Sequence, residues 1–323
     1  MAKKTELTHD IPTMNQEPKI TIIGTGPIGS WLAHELIANG SKISFVDRDA
    51  SIRERCWTIE RDGIVHTWTT SLERSKLPTS DLIFVAARAD DLDAIWQEHA
   101  SDLPVLQGRT IIVCCNGDIE ATVKLWQTAR PDITFLIGVV TAGITEKTNN
   151  HYLRNDRTGK CFYGPLTSEQ SEPHKADVKN LSSEFIYDPD IRERARKKWL
   201  FNTAANTLAG ALQLPRNDLM IYVHRNCLRE LFDEAYDLAC ERWIAWHLKD
   251  GANPKHREAL WLELCQLIAD TGSNENSMSR AARLGKGMGE AMFLGGMAFG
   301  HRGYPTLKRM TNLLLKGGPS FPA

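Results

Sequence analysis

The stretch "KITIIGTGPIGSWLAHELIANGSKISFVD", Lys19 to Asp47, decides the fold. A short apolar run, an amphipathic stretch closed by Gly40 and a second apolar run read as strand, helix and strand. Between the first strand and the helix lies "GTGPIG", Gly24 to Gly29, which fits GxGxxG. Gly24 allows the tight turn, Gly26 lets the backbone approach a pyrophosphate, and Gly29 lets helix and strand pack closely. The helix N-terminus adds N–H donors and a positive dipole end, so Gly24, Thr25, Gly26, Pro27, Ile28 and Gly29 form a candidate dinucleotide loop. Asp47, ending the second strand, suits the two ribose hydroxyls of NAD and would repel a 2′-phosphate, whereas Arg48 beside it could pair with that phosphate. The cofactor is therefore NAD or NADP, with Asp47 tipping the reading toward NAD.

Outward from this unit the same alternation continues. "WTIERDGIVHTWTT" reads as two strands around an Asp62-Gly63 turn; then come "DLIFVAA", a polar helix from about Asp90 to Ala100, "RTIIVCC", a helix from about Ile119 to Ala129, and "ITFLIGVV". Strands alternating with helices predict a parallel sheet covered on both faces. Arg88 follows "LIFVAA" at the carboxyl end of its strand, where such sheets bind ligands, and is a candidate cofactor contact. "HYLRNDRTGKCFYG" reads as a hairpin turning at Thr158-Gly159, followed by a helix from about Glu172 to Glu184. From Asp188 onward the periodicity is helical: Asp188 caps a helix that starts at Pro189 and runs to about Leu212, and "SMSRAARLGKGMGEAMFLGGMAFGHRG" continues the pattern. The predicted organisation is a loose extension over 1–18, a Rossmann-type α/β domain over 19–187, and an all-helical domain over 188–323.

Bulk composition agrees with two folded domains: 323 residues, 42% hydrophobic, 24% charged, with Lys plus Arg at 39 against Asp plus Glu at 40. No basic stretch is dense enough to track a nucleic acid. The apolar runs are strand-sized, far short of the about 20 residues that span a bilayer. The N-terminus lacks the apolar core of a signal peptide, which places the chain in the cytoplasm. Seven cysteines form no CxxC pair and are read as reduced; Cys114 and Cys115 are read as small strand-filling residues, and no histidine pairs with cysteine at zinc-ligand spacing. The partners expected are a small-molecule substrate, with room for a homodimer, and no metal.

One helix carries an anomaly. In "RKKWLFNTAANTLAG", Lys198, Asn202 and Asn206 are four apart, one turn or about 6 Å along the axis, and so form a polar stripe on one face. Packing alone does not call for such a stripe.

With these pieces in order, the chain resembles the ketopantoate reductase (2-dehydropantoate 2-reductase) family over nearly its whole length beyond the N-terminal tail. "KITIIGTGPIGSWLAHELIANGSKISFVDR" looks like that family's cofactor loop. "DLIFVAARADDLDAI" is similar to the segment in which Arg88 takes the place of a usual lysine. "VCCNGD" resembles a His-Asn-Gly element with Cys115 in place of the histidine, and "YDPDIRERARKKWLFNTAANTLAGALQLPRNDLM" resembles the most specific stretch. "NSMSRAARLGKGMGEAMFLGG" is like its Ser-Met and Thr-Glu-Ile-Asp region, though Ser277 to Glu290 is one residue longer than usual and the tetrad survives only as Gly289-Glu290-Ala291-Met292. The resemblance implies NAD(P)H-dependent reduction of a 2-oxo acid, with Lys198 as general acid and Asn116 at nicotinamide and substrate. It further implies that Asn202 and Asn206 line the substrate side, that Glu290 binds a substrate hydroxyl and that Ser277 binds the carboxylate. The altered tetrad leaves two alternatives: a same-fold enzyme acting on an imine, hydroxy acid or amino acid, and a dinucleotide-sensing regulator without turnover.

Overall fold

The computed structural model describes residues 18–47, 54–61, 63–73, 80–99, 106–148, 150–154, 159–166, 178, 181–243, 254–285 and 289–316. Arg48, Asp62, Thr158 and residues 1–17 of the expected extension lie outside them. The first unit is β1 (Ile20–Ile23), α1 (Pro27–Ala38) and β2 (Ile43–Val46), followed by a hairpin of β3 (Glu54–Arg61) and β4 (Ile64–Glu73). Next come β5 (Leu82–Val85), a 3-10 turn (Ala89–Asp91), α2 (Leu92–His99), β6 (Thr110–Val113), α3 (Glu120–Ala129) and β7 (Thr134–Val140). Strands β8 (Ile144–Thr148), β9 (His151–Arg154), β10 (Cys161–Pro165) and β11 (Phe185–Tyr187) complete the sheet.

The strand order is β11-β10-β7-β6-β5-β1-β2-β4-β3-β9-β8. Its centre, from β7 to β2, is parallel throughout. The order reverses between β1 and β5, and ligands of open α/β sheets bind at the carboxyl ends beside such a switch. Burial explains why these strands read as unbroken apolar runs. Ile20 and Ile22 of β1, Phe84 of β5 and Ile112 of β6 pack into one core with α1, while Ile23, Ile83, Val85, Ile111 and Val113 pack into another on the opposite face. A strand buried on both faces has no polar alternation to show.

The margins depart from the expected parallel sheet. β10 runs antiparallel to β7, whereas the antiparallel β3–β4 pair is the one expected around the turn at Gly63. "HYLRNDRTGKCFYG" is not a hairpin: β9 pairs with β3 and β8, whereas β10 pairs with β7 and β11, so its two halves lie at opposite ends of the sheet. Alternation specifies a buried face for each strand but not its neighbour, and β8 and β11 supply partners the sequence reading did not contain. Of the helix expected from about Glu172 to Glu184, Val178 is helical, and residues 181–184 are turn leading into β11.

Beyond β11 the described chain is helical: α4 (Ile191–Ala211), α5 (Leu219–Tyr222), α6 (Arg225–Arg242), α7 (Pro254–Asp270), α8 (Ser277–Arg283) and α9 (Pro305–Leu315). α4 starts at Ile191 rather than Pro189, because the Asp188 carboxylate accepts from the Asp190 amide at 2.9 Å and from Arg194 Nε at 2.6 Å, forming a turn before the helix. Leu200, Leu208, Leu228, Phe232, Leu264 and Leu307 meet in a third core. The glycine-rich stretch read as helix becomes two 3-10 segments, Gly289–Phe293 and Gly295–Gly300. Here glycine serves close packing, since a Cβ on Gly295 would lie 2.1 Å from Thr311 Oγ1.

Candidate active site

The candidate dinucleotide loop, Gly24 to Gly29, is built from backbone. Gly24 has φ +103, and a Cβ there would lie 2.5 Å from the Ala86 carbonyl oxygen. A Cβ on Gly29 would lie 2.0 Å from Gly24 O, so only glycine lets α1 leave its strand this closely. Around Gly26, the residue before Pro27 opens α1, a Cβ would meet nothing within 4 Å. The loop thus keeps an open concavity at a helix N-terminus beside the switch point, the shape and polarity a dinucleotide pyrophosphate needs. Thr25 Oγ1 donates to the Asp47 carboxylate, joining the loop to the end of β2.

Arg88, at the end of β5, makes a two-point pair with Asp90, Nε to Oδ1 at 2.9 Å and Nη2 to Oδ2 at 2.7 Å. The pair packs under Gly289: a Cβ on that glycine would fall 1.9 Å from Asp90 Oδ2 and 3.0 Å from Arg88 Nη2. The Arg88–Asp90 pair therefore lies against the 3-10 segment carrying Glu290.

Cys115, Asn116, Gly117, Lys198, Trp199 and Asn202 line one cavity, walled further by Ile119, Ile137 and Val139. β6 delivers Asn116 at its carboxyl end; α4 delivers Lys198 and Asn202 one turn apart. Lys198 Nζ donates to the Val140 carbonyl at 2.8 Å, where β7 ends. Burial depresses its pKa, and the nearby Glu290 carboxylate partly opposes that fall. Glu290 moves the other way: burial raises its pKa, against the Asn116 amide, Lys198 and Arg88, which favour its charged form. Its Oε1 is buried without a hydrogen-bond partner. The two groups thus approach each other in proton affinity from opposite sides.

Lys197 points elsewhere and pairs with Glu263 at 2.7 Å. Asn206 is buried and does not line the cavity; its Oδ1 accepts from Asn276 Nδ2 at 2.8 Å. Asn276 also caps α8, accepting from the Met278 amide at 2.9 Å. Ser277 is exposed at the first helical position, so Asn276, missed by sequence reasoning, is what joins α8 to the stripe. Its signal was an asparagine ahead of a helical run. Trp199 was also missed: its indole donates to the Phe293 carbonyl at 3.0 Å, and the Asp118 amide reaches the same oxygen at 3.4 Å. Gly117, at φ +104, leaves room for Phe293, whose Cβ would lie 2.8 Å from an added methyl. These contacts seat the Glu290 segment on the carboxyl ends of β5 and β6.

Cys114 and Cys115 are buried, as small strand-filling residues are, and burial raises the Cys115 thiol well above its ordinary pKa. Among the described residues no cluster of His, Cys, Asp and Glu could hold a metal, and no helix is long and apolar enough to cross a membrane.

Residues 20–168 match the family described as ketopantoate reductase PanE/ApbA. Among solved structures, the chain is similar to a probable 2-dehydropantoate 2-reductase from Bacillus subtilis at 20% identity, covering 93% of this chain and 99% of that one, with a TM-score of 0.70. A ternary D-mandelate dehydrogenase complex with NADH and anilino(oxo)acetate is similar at 15% identity, over 93% and 98%, with a TM-score of 0.75. A dimeric ketopantoate reductase from Staphylococcus aureus matches at 16% identity, over 93% and 98%, with a TM-score of 0.68. No curated protein sequence matches the chain. The family's segment thus occupies the first half of the chain, and the chain shares the fold of those structures over 93% of its length.

Proposed function

We propose that the protein reduces a 2-oxo acid to the 2-hydroxy acid, with residues 19–187 binding the dinucleotide and 188–323 closing the substrate side. The observation that carries this reading is the buried Lys198, its pKa lowered, sharing one cavity with Asn116 and Asn202 and facing Glu290. Bound nicotinamide supplies the hydride that goes to the carbonyl carbon. Lys198 polarises the carbonyl oxygen and gives it a proton from Nζ, to be restored from solvent; a cation beside a developing alkoxide acts as both stabiliser and acid. Asn116 and Asn202 hold the substrate or the lysine in place. Glu290, with an unpartnered buried oxygen, accepts from a donor on the substrate, which favours a substrate carrying a hydroxyl or amine beyond its oxo acid head. Asn206 acts behind these groups, through Asn276. Ser277, exposed, contributes to carboxylate binding only once substrate is present. On the cofactor side, the Thr25–Asp47 contact supports NAD over NADP, and Arg88, at the end of β5, is read as a contact to cofactor phosphate or ribose. The free cysteines fit a cytoplasmic enzyme, and the dimeric relative supports a homodimer.

The altered Gly289–Met292 segment favours a substrate other than ketopantoate. The test is a panel of 2-oxo acids and cyclic imines assayed with NADH and NADPH. Turnover of a hydroxylated or aminated 2-oxo acid with NADH is expected; turnover confined to imines, or dinucleotide binding with no turnover, would overturn the reading.

A further inference from the structure

The loop glycines make room for a pyrophosphate but do not aim the backbone toward it. Two hydroxyls do. The Thr25 carbonyl accepts from Tyr152 Oη at 3.1 Å and from Ser30 Oγ at 3.3 Å. A trans peptide holds its C=O and the following N–H on opposite sides, so fixing Thr25 O turns the Gly26 N–H the other way. Around Gly26 space is open to 4 Å for an added Cβ. The same Thr25 donates its hydroxyl to Asp47, so one residue links the pyrophosphate and ribose ends of the loop.

Tyr152 belongs to no nucleotide motif and comes 127 residues after Thr25. Along β9 it alternates with less buried neighbours: Tyr152 and Arg154 are buried, His151 and Leu153 half-buried. The two buried side chains meet α1 at two heights, Tyr152 at the loop that opens the helix and Arg154 at Glu35, whose Oε1 takes its Nη1 at 2.8 Å. That second anchor sets the height of the first.

We infer that Tyr152 is a positioning residue for the dinucleotide: it orients the Gly26 amide toward the pyrophosphate and steadies the Thr25–Asp47 contact. The inference rests on the proposed dinucleotide site and concerns binding rather than chemistry. Tyr152→Phe keeps the ring and removes the donor. The Kd for NADH and for ADP-ribose should rise about threefold to tenfold, the range one hydrogen bond supports, with the loss appearing in KM for the cofactor rather than in kcat. Ser30→Ala, acting on the same carbonyl away from β9, should weaken ADP-ribose in the same direction, and it carries the test if the tyrosine variant fails to fold. Wild-type affinity for ADP-ribose in both variants would overturn the assignment while leaving the oxidoreductase reading standing. A wild-type protein that binds neither NADH nor NADPH would overturn both.

Discussion

Two short glycine-rich segments meet at the cleft, and they obey different rules. In Gly24–Gly29 the glycines answer to their own neighbourhood: Gly29 lacks a Cβ because Gly24 O lies where it would be, and Gly24 needs its positive φ to turn from β1 into α1. In Gly289–Phe293 the glycine answers to a distant partner, the Arg88–Asp90 pair at the end of β5. The first segment is a site made of backbone, its glycines contiguous in one loop, with Ala86 and Tyr152 reaching it from elsewhere in the chain. The second delivers a side chain, Glu290, to groups brought from β6 and α4. A backbone site can be written in six consecutive residues, whereas a side-chain site exists only after long-range packing.

The largest expected effect separates the two sides. Lys198→Ala should lower kcat by about a thousandfold, within the range for a lost general acid, with NADH affinity unchanged in a fluorescence titration. If binding falls with turnover, the lysine belongs to the cofactor side instead.

The glycines should then break differently. Gly29→Ala puts a methyl against backbone that cannot yield, so a loss of about 3 kcal/mol in denaturant-measured stability is expected, along with weakened dinucleotide binding. Gly289→Ala meets the end of the Asp90 side chain, which can swing away. Stability should drop by only about 1 kcal/mol, with the loss of kcat/KM showing toward the 2-oxo acid and not toward the cofactor. Equal damage from both would remove the distinction.

The smallest effect is a shift in a pH profile. Lys198 must be protonated to act as acid, so reduction fails as pH rises through its pKa. Burial holds that pKa down and the Glu290 charge holds it up. Glu290→Gln removes the upward influence, and the alkaline limb of kcat/KM for reduction should move to lower pH. An unmoved limb would mean that Glu290 does not sense the lysine.

The strands β1, β2, β5, β6 and β7 were legible because each is a short apolar run, and α1 because of the glycines that open it and Gly40 that follows it, although Gly29 to Leu36 are buried all round. The margins were not. "HYLRNDRTGKCFYG" has the alternation of two strands, but the partners of β9 and β10 lie across the sheet from each other, and pairing is set by which edges the core leaves open. The Lys198–Asn202 face was visible from helical spacing, and the cavity brings Asn116 to it. Asn206 shares the spacing yet not the cavity, because α8 places Asn276 against it.

The sequence by itself determined the local features: the periods of strands and helices, the phosphate loop, and the lysine-bearing face of α4, all encoded within a few residues of each other. Only the tertiary structure decided the order of the outer strands, the seating of Glu290 through Phe293 and Trp199, the Tyr152 contact on Thr25, and the depressed proton affinity of Lys198. Those depend on desolvation and contact between segments far apart in the chain, and no short stretch of residues carries that information.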